Sequence, residues 1–146
     1  MAHDAWLDDL ARVPLFADCA KKDLQQIASA SVEVDLQPGR VLARQGEAGH
    51  ECFVIIDGTA SVTRDGETLA TLTAGDVVGE LALLTGAPRL ATISADTRLT
   101  VRVIGQREFT PLLEEVPGLA VQILRNLATR LTEIEAAALQ RSRDQG

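Results

Sequence analysis

The chain has 146 residues, a formal net charge of −7 and a pI near 4.8. That length carries one sizeable core, and that charge excludes a broad nucleic-acid surface, because neutralising phosphates takes clustered Lys and Arg. Cys19 and Cys52 have neither metal-ligand spacing nor the pattern of a disulfide scaffold, and no stretch approaches the roughly 18 apolar residues of a spanning helix, so a cytoplasmic protein with reduced packing thiols and no membrane or direct nucleic-acid partner is expected.

In chain order, the N-terminal part reads as helix, with Leu7, Leu10, Val13 and Phe16 at spacings of three. A second helix is predicted over Lys21–Ala30, with Asp18 available as its cap and Leu24, Ile27 and Ala28 as its apolar stripe. From Val32 the period changes. Strands are predicted over 32–36, 40–43, 52–56, 59–64, 67–72, 90–94 and 99–104, each rich in β-branched or alternating apolar residues. Pro38-Gly39, Gly46 to Gly49, Asp57-Gly58, Asp65-Gly66 and Ala74-Gly75-Asp76 supply the turn chemistry between them. Evenly spaced short strands with such turns indicate an antiparallel sandwich or barrel, and at this length a jelly roll.

One segment interrupts that rhythm. Gly79 to Leu84 carries good helix formers for barely two turns, and Thr85-Gly86-Ala87-Pro88 then stops them. After the last strand, Phe109–Leu113 reads as a short turn and Pro117 as the opening of a long helix. In that helix Leu124, Leu127, Leu131, Ile134 and Ala138 alternate spacings of three and four. Such a heptad-like seam calls for cover by the barrel, by a second copy in a homodimer or by an effector protein. The tail from Arg141 reads as solvated.

The segment 79–92 is the part that offers chemistry. Free amides at a helix start favour an anion, and Gly79 lets a ligand approach the backbone closely. Glu80 stands at the same start, where beside a phosphate it needs a donor such as a ribose hydroxyl. Arg89 can return a guanidinium fork toward that place, and the amides of Leu90 and Ala91 can complete an anion cradle. An acid for a hydroxyl, a cation for a phosphate and several amides suit a compact sugar phosphate.

The run Val78-Gly79-Glu80-Leu81-Ala82-Leu83-Leu84-Thr85-Gly86-Ala87-Pro88-Arg89-Leu90-Ala91-Thr92 resembles the phosphate-binding cassette of cyclic-nucleotide-binding domains, the family of bacterial cAMP receptors and protein kinase A regulatory subunits. Pro38-Gly39, Arg44-Gln45-Gly46-Glu47, Phe53 to Gly58 and Ala74-Gly75-Asp76 fall at the spacing of that family's turn glycines, so the resemblance covers about residues 10 to 140. It implies a mainly β fold with flanking helices. In outline this is an eight-stranded antiparallel jelly-roll β-barrel with N-terminal helices, a short phosphate-binding helix and a long C-terminal lid helix. The expected organisation is a single domain over 1–146, with N-terminal helices at 5–30, the barrel at 31–105 containing the cassette at 78–92, and C-terminal helices at 106–141.

By the same resemblance Glu80 holds the ribose 2′-hydroxyl and Arg89 the cyclic phosphate. Backbone near Gly79, Leu81, Ala82, Leu90 and Ala91 serves further oxygens, and Val62, Leu69 and Leu72 line the sugar and base. Leu90 departs from the pattern, since many members that favour cGMP carry a threonine there; the ligand expected is therefore cAMP and, less so, cGMP. Ile134 and Glu135 fall in the lid register, where Ile134 can cover the base and Glu135 can accept from an adenine amino group. No cofactor and no metal are expected, and no nucleophile, base and orienting group occur together as an enzyme needs. His3 and His50 are isolated. The expected function is thus a regulatory module that repositions its terminal helix on binding cyclic nucleotide. The alternatives are a truncated transcription regulator without its helix-turn-helix, and a structural interaction domain that binds no ligand.

Overall fold

The protein is described by a computed structural model covering residues 2–116 and 118–145, with the side chains of residues 2–6, 81 and 145 outside that description. In chain order come α1 (Ala2–Ala11), a 3-10 turn (Pro14–Phe16), α2 (Lys21–Ala30), β1 (Ser31–Leu36), β2 (Val41–Ala43), β3 (Glu51–Asp57), β4 (Ala60–Arg64), β5 (Glu67–Leu72), β6 (Val77–Val78), α3 (Glu80–Thr85), β7 (Thr92–Ala95), β8 (Leu99–Gly105), α4 (Gln106–Glu115) and α5 (Leu119–Gln145).

The eight strands form two four-stranded antiparallel sheets, ordered β1-β8-β3-β6 and β2-β7-β4-β5. The architecture is the double-sheet form of the jelly roll rather than a closed barrel. β3 explains why its sequence is apolar without a break. Cys52 and Val54 face the helices and Phe53 and Ile55 face the second sheet, so both faces of the first sheet are covered. Around Cys52 and Val54 gather Leu10, Val13, Ile27, Phe109, Val116 and Ile123. Between the sheets the core is smaller, with Ile55, Leu99 and Val101 meeting Ala43, Ala60, Ile93 and Ala95.

Several local expectations are corrected by the structure. The N-terminal helix stops at Ala11, because Pro14 has no amide to continue it and opens a 3-10 turn instead. Val13 and Phe16 remain buried. Asp18 is not the cap of α2: the Ala20 amide donates to the Asp23 carboxylate at 3.2 Å, while Asp18 accepts from Gln122 of α5 at 2.9 Å. The turn expected over 109–113 is a ten-residue helix, α4. The helix-opening role expected of Pro117 lies outside the described residues.

The first turns of α5 pack on the core through Leu119, Ile123 and Leu127. Of the predicted seam, Leu127 joins this packing, whereas Leu124, Leu131, Ile134 and Ala138 are exposed, and from Leu131 onward no described residue of α5 is covered. Among the described residues no helix is long and apolar enough to cross a membrane.

Candidate ligand-binding site

A cavity of about 670 Å³ opens between the inner face of β4 and β5, α3 and the loop before β7. Its lining is mainly apolar, with Val62, Ala70, Leu72, Val78 and Ile93, and also carries Asp76, Gly79, Arg89 and Arg130. α3 is short because both its flanking residues are left-handed glycines, Gly79 at φ 89° and Gly86 at φ 72°. Any side chain at either position would be strained.

Arg89 is brought to the cavity by its own backbone. Its amide donates to the Glu47 carbonyl and its carbonyl accepts from the Gly46 amide, each at 2.8 Å, which pins the residue to the β2–β3 loop. This pairing also explains why β7 begins at Thr92 and not at Leu90 as the sequence predicts, leaving Leu90 and Ala91 to line the cavity. The guanidinium donates to the carbonyls of Gly79 at 3.1 Å and Glu51 at 2.6 Å, and lies 5.7 Å from the centroid of the Phe53 ring. Burial pulls its pKa below the ordinary value while the charge of Glu51, then Cys52 and Glu80, pushes it up; a guanidinium so placed remains a cation.

Glu80 begins α3 and is only 3% exposed. A carboxylate that deep needs a partner, and Arg130 of α5 supplies it: one guanidinium nitrogen donates to Glu80 Oε1 at 2.9 Å and another to the Val77 carbonyl at 3.3 Å. Arg130 lines the cavity whereas Glu80 does not, so the acid faces its counter-ion. Cys52 lies beneath. Burial, with the Glu80 charge adding to it, pushes its thiol up to about 12, which leaves it an inert packing group at neutral pH.

Of the residues expected from the sequence, the cavity brings together Val62, Leu72, Gly79, Ala82, Arg89, Leu90 and Ala91, with Glu80 directly behind Arg130. Three do not join them. Leu69 is 57% exposed, because the register shift between Val62 and Thr63 leaves it as the extra residue of a β-bulge: Val62 pairs with Ala70 and Thr63 with Thr68. A bulge re-aims its side chain, and Ala70 takes the place on the wall. Ile134 and Glu135 are exposed and line no part of the cavity, since α5 meets it one turn earlier, at Arg130. Leu81 has its side chain outside the described residues. Arg130 is the residue the sequence reading missed; it stands 50 positions from Glu80, and no local spacing links the two.

The description "Cyclic nucleotide-binding domain" belongs to the family model that matches residues 33–116. The chain is 38% identical over 109 residues to a cAMP-dependent protein kinase regulatory subunit of Yarrowia lipolytica, covering 73% of this chain and 29% of that one. It therefore spans less than a third of the length of that relative. Among solved structures, Sp-2Cl-cAMPS bound to PKAR CBD2 superposes with a TM-score of 0.77 at 28% identity over 91% of each chain. Thermus thermophilus Catabolite Activator Protein gives a TM-score of 0.83 at 25% identity, covering 88% of this chain and 63% of that one. With the cassette folded around one cavity and the family model covering more than half of its length, the chain belongs to the cyclic nucleotide-binding domain family.

Proposed function

We propose that this chain is a regulatory module that binds cAMP in the cavity beside Arg89 and reports occupancy through α5. The observation that carries the reading is the meeting of Arg89, held by the β2–β3 loop, with the Glu80–Arg130 pair at a mainly apolar cavity, whose lining also includes Asp76. A cyclic phosphate matches the cation, a ribose hydroxyl matches the acid, and Val62, Ala70, Leu72 and Ile93 offer the aliphatic cover a purine needs. Leu90 brings no hydroxyl for guanine, which favours cAMP over cGMP, and the relative structure above holds a cAMP analogue. The role is binding rather than turnover, in keeping with relatives that are regulatory subunits.

Arg130 gives the signal a route. Glu80 already spends one oxygen on the helix, so a hydroxyl reaching it either shares the carboxylate or displaces the guanidinium. In both cases the ligand meets a group that holds α5, and a ligand acts on an equilibrium only through such differential contact. Beyond Arg130 the exposed seam of α5 is open to a second copy or to an effector protein.

Calorimetric titration of the chain with cAMP and cGMP tests this reading. Arg89→Ala is expected to cost about 2–4 kcal/mol of cAMP binding, because the phosphate charge then enters a desolvated site unpaired. Equal affinity of variant and wild type removes Arg89 from the role, and no binding at millimolar nucleotide favours a ligand-free interaction domain.

A further inference from the structure

We propose that Phe53, Gly49 and the carbonyls of Glu51 and Gly79 form a built seat that fixes the plane of the Arg89 guanidinium before any ligand arrives, with Phe53 as a positioning residue. The inference rests on reading Arg89 as the phosphate clamp. A long arginine side chain has much rotamer entropy to lose when it is ordered. If folding orders it, binding does not have to.

Each part of the seat restricts a different freedom. The two terminal nitrogens donate to carbonyls on two paired strands, Glu51 at the start of β3 and Gly79 just after β6, which sets the rotation of the fork. Phe53 lies on the same face of β3 as Glu51, two residues on, and is buried in the core between the sheets. Its ring centroid is 5.7 Å from the guanidinium carbon, inside the range in which a cation is drawn to an aromatic face, and burial strengthens that attraction. Gly49 closes the remaining side. A Cβ there would stand 2.6 Å from Arg89 Nε and 2.6 Å from the Ala82 Cβ, so the guanidinium occupies space that any other residue would fill. Two of the five N–H donors are used by the carbonyls, one on each terminal nitrogen, so each terminal nitrogen keeps a second N–H.

A phenylalanine in a core would be retained for volume alone, and the test separates volume from the aromatic face. Leucine fills apolar space but has no quadrupole, whereas tyrosine keeps it. The folded chain is titrated with cAMP and with the two phosphorothioate diastereomers, Rp-cAMPS and Sp-cAMPS, in which sulfur replaces one or the other exocyclic oxygen. Wild type is expected to bind cAMP and to prefer one diastereomer, because a fixed fork meets one oxygen. Phe53→Leu is expected to weaken cAMP roughly three- to thirty-fold and to narrow the diastereomer ratio, and Phe53→Tyr to restore both. Loss of cAMP affinity in the Leu variant with the ratio intact, or no loss at all, overturns the seat. Should Phe53→Leu fail to fold, Phe53→Met decides, since it keeps much of the core volume without an aromatic face: a narrowed ratio supports the seat and an unchanged one overturns it. A wild type that binds cAMP with no diastereomer preference also overturns the seat while leaving the phosphate reading standing. A wild type that binds no cyclic nucleotide removes the phosphate reading and the seat with it.

Discussion

The sheet β1-β8-β3-β6 is covered on both faces, by the second sheet on one side and by α1, α2, α4 and the start of α5 on the other; among the described residues no helix packs on the outer face of the sheet β2-β7-β4-β5, and a cavity lies over part of its inner one. The contrast is sharpest between β3, buried from Cys52 to Ile55, and β5, exposed from Glu67 to Thr71. Apolar burial is the main source of stability, so the first sheet with its helices holds the molecule together. The second can leave apolar wall uncovered for a ligand. Stability and binding are thus assigned to different faces of one sandwich, and substitutions on each face should move one quantity and spare the other.

Ile27→Ala gives the largest expected effect. Ile27 is fully buried in the helix-side core, and its truncation should cost about 2–5 kcal/mol in denaturant unfolding, with cAMP affinity unchanged under conditions where the variant is folded. A loss of affinity comparable to the loss of stability would break the division. Leu72→Ala tests the other face. Leu72 is half-buried on the cavity wall, so its truncation should cost only about 1 kcal/mol of stability while lowering cAMP affinity several-fold by calorimetry. The smallest effect is a labelling pattern. Cys52 lies under the doubly covered sheet with its thiol pushed up to about 12, while Cys19 is partly exposed with its thiol raised by burial and then by Asp23 and Asp18. Iodoacetamide at mildly alkaline pH should modify Cys19 slowly and Cys52 only after unfolding, as read by mass spectrometry. Labelling of Cys52 in the native protein would show that the covering is breached.

The same division shows why some features were legible in the sequence. Seven strands announce themselves by alternation or by a β-branched apolar run, but β6 has two residues and no period can be read from two. The cassette is legible because Glu80, the flanking glycines and Arg89 are contiguous and their chemistry is local. The bulge at Leu69 depends on which residue of β4 sits opposite, which β5 alone does not encode. Arg130 depends on where α5 crosses the cavity, and that crossing is set by the packing of Leu119, Ile123 and Leu127. The lid register implied by the resemblance pointed further along the helix, to Ile134 and Glu135, because a register carries over a position on the helix and not the packing that sets where this helix meets the cavity.

Arg102 of β8 has a consequence of a mechanical kind. β1 and β8 are antiparallel, Ser31 lies opposite Ile104, and α2 and α4 continue directly from those two ends. A force that separates the two helices therefore loads the strand pair from its mouth, one rung after another, which is the weak direction of a zipper. Two rungs inside, Arg102 reaches back from its buried position to donate to the Ser31 hydroxyl at 2.7 Å and to the carbonyls of Ala28 and Ser31 at 3.1 Å. The guanidinium is a clasp across the opening, placed where tension carried along the chain would first arrive.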